Sequence, residues 1–174
     1  MGWTADSAPI EEKKAIILGV PHTSGWDFVI SYLYYTSVGG KAGVMIKKEF
    51  FWGPLGPILK SLGGIPVDRK HGATVVHQCI KSINNSERVH LAIAPEGTRK
   101  ATTRWKTGFY TIAKACNIPV YLGYFDWGTK HVGRGERFEL SDNPQEDLKR
   151  IQKHYAEMHL KGKHPGGFTT GFES

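Results

Sequence analysis

The chain predicts an α/β fold: a central, mostly parallel sheet with covering helices and an antiparallel edge. Three observations carry that expectation. Short apolar runs bounded by turn residues alternate with amphipathic stretches over most of the length, the pattern of repeated strand–helix–strand units. At 174 residues and 40% hydrophobic content, the chain can build one domain with a substantial core. Beyond Asp126 the alternation stops, and Lys130-His131-Val132 and Glu136-Arg137-Phe138-Glu139-Leu140 flank Gly133-Arg134-Gly135 as a hairpin would, placing antiparallel pairing at the sheet edge.

The elements follow in order. Residues 1–13 read as a short extension. Ala15–Val20 is an apolar run of strand length, and the aromatic stretch Trp26–Tyr35 reads as a helix. Phe50–Lys60 combines large apolar residues with flanking lysines and has two open readings, a segment lying at a lipid interface or a short core helix behind a Pro-Gly loop. Val75, Val76, Cys79, Ile80 and Ile83 fall at helical spacing within Ala73–Ile83. Val89–Ala94 reads as a buried strand, and Trp105–Ala115 as a helix closed by Asn117. The last helix opens at Asn143-Pro144 and sets Leu148, Ile151, Tyr155 and Met158 on one face. The tail, 162–174, is rich in Gly and polar residues and is expected to be flexible.

Composition narrows the function. A net charge of +7 suits an anionic membrane surface, an acidic carrier protein, a phosphorylated substrate or nucleic acid. No recognisable nucleic-acid motif accompanies the charge, so nucleic acid is the least favoured partner. The eight histidines show no His-x-x-x-His or His-Glu-x-x-His spacing and the two cysteines no Cys-x-x-Cys, so no metal site is expected. Cys79 and Cys116 fall within helical stretches and read as free thiols of a reducing compartment. No run approaches the ~20 apolar residues of a membrane span, and the N-terminus lacks a signal-peptide pattern, which points to the cytoplasm.

Two segments carry the chemistry. In His22-Thr23-Ser24-Gly25-Trp26-Asp27 the histidine follows a strand and precedes a helix. Five residues of helix turn through about 500°, so the two side chains can meet only if His22 lies in the loop and folds back on Asp27 in the first turn. A carboxylate there would fix the imidazole tautomer and stabilise the imidazolium. The same residues equally satisfy a capping box, with Ser24 as N-cap and Asp27 reaching back to its amide. No Gly-x-Ser-x-Gly elbow is present, so the acceptor itself, rather than an enzyme nucleophile, would attack.

The second segment, Pro95-Glu96-Gly97-Thr98-Arg99, follows a strand at its carboxyl end, where open α/β sheets place ligands. Gly97 permits close backbone approach, Thr98 offers a hydroxyl and Arg99 a planar fork for phosphate or carboxylate. Glu96 would position Arg99, the acceptor or the loop itself.

Both segments in this order, with Gly63-Gly64-Ile65-Pro66-Val67-Asp68-Arg69 between them and Asn117-Ile118-Pro119-Val120-Tyr121-Leu122 after, resemble the glycerolipid acyltransferase superfamily typified by lysophosphatidic acid acyltransferases. The resemblance implies a glycerol-3-phosphate acyltransferase-like fold in a single acyltransferase domain. It makes His22 and Asp27 the catalytic pair and Asp68, Arg69, Glu96, Gly97, Thr98 and Arg99 acceptor-binding residues. The chain departs from the pattern in Ile65-Pro66-Val67, where phosphatidate-forming members usually carry an aromatic residue and an isoleucine before Asp-Arg, and in Lys100, where serine is common.

The implied reaction moves a fatty acyl group from acyl-coenzyme A or acyl-carrier protein to the hydroxyl or amine of a lysophospholipid-like acceptor, with no cofactor, at the inner face of the membrane. The alternative is a non-catalytic peripheral lipid-binding protein on the same fold, which would need neither His22 nor Asp27.

Overall fold

The structure, a computed structural model, describes residues 2–6, 8–68 and 72–172. Its main sheet is formed by Lys14–Leu18 (β2), Ala42–Lys47 (β3), Gly64–Val67 (β4), Val89–Ile93 (β5), Val120–Tyr121 (β6) and Arg137–Phe138 (β9), in the order β4-β3-β5-β2-β6-β9. All pairings are parallel except β6 with β9, so the antiparallel pairing does fall at an edge. A smaller sheet, order β1-β8-β7, joins Thr4–Ala5 (β1), His131–Gly133 (β8) and Tyr124–Asp126 (β7).

The expected hairpin around Gly133-Arg134-Gly135 is not the pairing observed. β8 turns back on β7 instead, and β9 crosses to β6. Asp126 explains the first choice: its carboxylate accepts the N–H groups of Gly128 and Thr129 at 3.0 and 3.1 Å, closing a tight turn between β7 and β8.

Among the described residues five α-helices complete the fold: Gly25–Ser37 (α1), Leu55–Ser61 (α2), Gly72–Asn84 (α3), Gly108–Cys116 (α4) and Pro144–Glu157 (α5). Helix α4 is shorter than expected. Trp105 lies in the preceding loop, its indole N–H on the Thr102 carbonyl at 3.0 Å and its ring against Tyr155 and Phe168. The helix closes at Asn117, whose φ of 51° is the left-handed C-cap conformation. Helix α5 opens with Asn143 as N-cap, its side-chain oxygen taking the N–H groups of Gln145 and Glu146, and it buries Leu148, Ile151 and Tyr155 as its spacing predicts.

Strand order decides where a site can form. The connections β2→α1→β3→α2→β4 run toward one edge of the sheet, and β4→α3→β5→α4→β6 return toward the other. Right-handed crossovers therefore put α1 and α2 on one face and α3 and α4, which pack together, on the other. Neighbouring strands β2 and β5 send their chains to opposite faces, opening a crevice at their carboxyl ends. His22 follows β2 and Glu96 follows β5.

The core fills the α3, α4 and α5 face, with Ile16, Leu18, Leu91 and Ile93 packed among Phe109, Ile151 and Tyr155. Cys79 is buried and Cys116 half-buried, both as free thiols. No described helix is long and apolar enough to cross a membrane.

Candidate active site

After β2 the chain passes a cis Val20-Pro21 bond and reaches His22 in an extended loop. Ser24, with φ −150° and ψ 157°, is the N-cap of α1, and its hydroxyl accepts the Trp26 N–H at 3.2 Å. Asp27 sits in the first turn with none of its side chain exposed. Its Oδ2 accepts the N–H groups of Thr23 at 2.7 Å and Ser24 at 2.6 Å, and His22 Nδ1 lies 3.5 Å from the same oxygen. The capping box and the His-Asp pair are thus one carboxylate serving both purposes. Nδ1 engaged with Asp27 leaves Nε2 for proton transfer, and the His22 side chain is 28% exposed.

Asp27 has a third donor that lies outside all four sequence blocks: the indole N–H of Trp127, 2.7 Å from Oδ1. Nothing in the sequence marks it, because the contact spans 100 residues and joins the turn after β7 to the first turn of α1. The Trp127 backbone N–H is held in turn by the Lys161 carbonyl, and the Lys163 ammonium lies 4.9 Å from the Trp127 ring and 5.3 Å from that of Trp26. The chain after α5 also covers Thr23, with the His164 N–H 3.4 Å from its hydroxyl.

Glu96 turns inward. It is only 5% exposed, and both carboxylate oxygens lie on the His22 backbone N–H, at 2.8 and 3.2 Å. Burial pushes its carboxyl up to about 8 and the Asp27 charge adds to the rise, while the His22 N–H pulls the other way. The observed partner of Glu96 is thus the histidine loop of the neighbouring strand.

Gly97 has φ +67°, which L side chains rarely adopt, and its N–H closes the turn on the Ala94 carbonyl at 3.1 Å. Thr98 uses its hydroxyl to accept the Lys100 N–H at 3.2 Å. Arg99 is exposed and reaches back to the start of α1: a Cβ placed on Gly25 would lie 3.9 Å from its Nη1. The first and last segments therefore converge, with a guanidinium beside the N-terminus of the helix that carries Asp27.

The middle segment stands farther off. Asp68 follows β4, which β3 and β5 separate from β2, and its carboxylate pairs with Lys48 at 2.6 Å. Arg69 lies outside the described residues. The parallel strands still place Asp68, Glu96 and His22 at the same, carboxyl-terminal, end of the strands. Among the described residues no group of three or more His, Cys, Asp or Glu side chains is arranged to hold a metal ion.

The fold is similar to that of the 1-acyl-sn-glycerophosphate (LPA) acyltransferase PlsC from Thermotoga maritima. The match has a TM-score of 0.59 at 15% identity and covers 92% of this chain and 73% of that one. No curated protein sequence matches the chain. Residues 5–122, which hold the histidine loop, the middle segment and the Glu96–Arg99 turn, match the Acyltransferase family model, and the chain belongs to that family.

Proposed function

We propose that the protein transfers a fatty acyl group from a thioester donor, acyl-coenzyme A or acyl-carrier protein, to the hydroxyl or amine of a lysophospholipid-like acceptor. The observation that carries this reading is His22 held by Asp27 in a loop that Glu96 grips from the next strand, beside the exposed Arg99 guanidinium. The acceptor O–H or N–H gives its proton to His22 Nε2 as it attacks the thioester carbonyl, a step worth roughly a hundred- to ten-thousand-fold. The tetrahedral intermediate then collapses, the C–S bond breaks, and the imidazolium returns the proton to the thiolate. Asp27 supports the imidazolium without leaving its three N–H donors.

Arg99 and the Gly97-Thr98 turn hold the anionic end of the acceptor, while the family resemblance adds Arg69, outside the described residues, and Asp68, whose carboxylate is paired with Lys48, as acceptor-binding residues. Glu96 serves the acceptor indirectly, through His22. Because such acceptors are amphiphiles, the protein works at a membrane surface, peripherally and on its inner face.

The test is thiol release from acyl-coenzyme A and from acyl-carrier protein against a panel of lysophospholipid and amino-lipid acceptors, with His22→Ala and Asp27→Asn beside wild type. Acceptor-dependent release lost in both variants supports the reading. Release that His22→Ala leaves intact overturns it in favour of a lipid-binding role.

A further inference from the structure

The two faces of the main sheet are unequally covered. Opposite the face filled by α3, α4 and α5, the buried cluster among the described residues is Ile10, Ala15 and Tyr121. Helix α1 buries just Asp27 and Tyr35, and α2 just Gly56. Outward, α1 carries Trp26, Val29 and Leu33 at positions i, i+3 and i+7, a second apolar stripe where a water-facing helix would be polar. The following crossover exposes Phe50 and Trp52, and α2 exposes Leu55 and Ile58, with Trp52 at 67%. Apart from Phe172, every exposed large hydrophobic residue among the described ones belongs to α1 or to the segment 50–62.

The polar residues of this face name its partner. From Trp26 to Asp68 there are four lysines, Lys41, Lys47, Lys48 and Lys60, against Glu49, Asp68, which takes Lys48 at 2.6 Å, and the buried Asp27, so Lys41, Lys47 and Lys60 carry the positive charge of the face. Between Phe50 and Leu62 only Lys60 and Ser61 have polar side chains. A protein interface carries about one hydrogen bond per 100–200 Å², which this segment cannot supply; a bilayer asks for none. Large apolar side chains beside lysines are the composition of a surface that enters the headgroup boundary of an anionic membrane.

We propose that the face formed by α1 and residues 50–62 docks on an anionic lipid bilayer. The proposal rests on the amphiphilic-acceptor reading above and adds an orientation: Trp26, next to Asp27 in sequence, sets the rim of the docked face beside His22, so an acceptor can reach the base from the membrane plane.

The test is cosedimentation of the full chain with phosphatidylcholine vesicles with and without phosphatidylglycerol. Trp52→Ser/Ile58→Ser changes two side chains more than half exposed, and Lys47→Gln/Lys60→Gln removes charge. Wild type should bind phosphatidylglycerol vesicles, the apolar variant at least roughly tenfold more weakly, and each lost lysine should weaken binding roughly fivefold. His22→Ala should bind as wild type does, and a wild type that binds vesicles without turnover sinks the catalytic reading alone. Wild-type binding that Trp52→Ser/Ile58→Ser leaves unchanged overturns the docking proposal, as does a dimer in solution, abolished by that variant, with no vesicle binding.

A second inference stands on a separate observation. Trp127 lies beyond the family match yet supplies the only donor to Asp27 Oδ1 among the described residues, from a ring fixed by the Trp3 edge at 5.0 Å. The geometry assigns Trp127 as a positioning residue, whose N–H holds the carboxylate so that Oδ2 faces His22. Trp127→Phe keeps an aromatic side chain and removes the donor. It should lower kcat roughly ten- to a hundredfold with KM nearly unchanged, and it should move the acid limb of the pH profile, since the carboxylate then shares its charge with one donor fewer. Independently of turnover, Asp27→Asn should shift the Trp127 indole N–H resonance. An unmoved resonance, or an unchanged kcat and profile in Trp127→Phe, refutes the assignment.

Discussion

The buried carboxyl of Glu96 makes stability depend on pH in a direction opposite to that of most acidic residues. Its folded value, about 8, stands above the ordinary 4.5, so between those limits the folded chain holds a proton that the unfolded chain has released. Stability is therefore full below pH 4.5 and falls as pH rises through the folded value. A rise of about 3.5 units at 1.36 kcal/mol each sets the full loss at about 5 kcal/mol, a large part of the ~5–15 kcal/mol that holds a domain together. The perturbation is Glu96→Gln, which has the shape of the protonated side chain and an oxygen for the His22 N–H, now 2.8 Å from a carboxylate oxygen. Its amide N–H₂ replaces an oxygen that accepts at 3.2 Å, so the variant should start about 1–2 kcal/mol less stable at pH 6. Urea unfolding at intervals from pH 6 to 8.5 reads the result. Wild type should lose stability steadily, the variant should stay nearly level, and the two curves should converge or cross. Parallel curves would refute the placement of a protonated Glu96 beneath His22.

Other substitutions read other parts of the site and fold. Asp27→Asn places N–H₂ against at least one of three converging donors, and should cost about 3 kcal/mol in urea unfolding as well as activity. Gly97→Ala forces a side chain into φ +67° with Lys106 Cγ 3.2 Å from the new Cβ; thermal unfolding should show about 1–2 kcal/mol lost, with acceptor KM raised. His90 is fully buried between the Tyr35 hydroxyl at 2.6 Å and the Glu12 carbonyl at 2.6 Å, and burial pushes its imidazole down, so stability should fall as pH drops below 6.5 toward the folded value. Tyr35→Phe should lower stability by about 1–3 kcal/mol, by leaving the Ile10 N–H and His90 Nδ1 without their partner.

What the chain showed in advance was set by local rules. The period of Val75–Ile83, the caps at Asn143 and Asn117 and the strand runs at Ala15 and Val89 depend on neighbours a few residues away, and each has its counterpart in the structure. The expected hairpin failed because pairing is a choice among distant partners. Gly133-Arg134-Gly135 has the composition of a turn, but the Asp126 carboxylate captures the preceding turn and sends β8 to β7. Trp105 failed similarly: helical spacing included it, whereas its indole is held by Thr102 and packed on Tyr155, fifty residues on.

The site was legible to the same depth and no deeper. Two open readings of Ser24-Gly25-Trp26-Asp27, cap and catalytic pair, turn out to be compatible, and the reason is geometric. A helix N-terminus offers N–H groups that need an acceptor, so a first-turn carboxylate placed to take them is already buried, oriented and 3.5 Å from a histidine two residues before the cap. Capping thus supplies the rigidity that a His-Asp pair needs. Two further supports come from distant elements: Glu96 under the His22 amide from the end of β5, which parallel pairing sets beside β2, and Trp127 on Asp27 Oδ1 from the turn after β7 in the smaller sheet. Spacing along the chain could name the histidine and its carboxylate; which groups hold them still is a property of how distant elements pair.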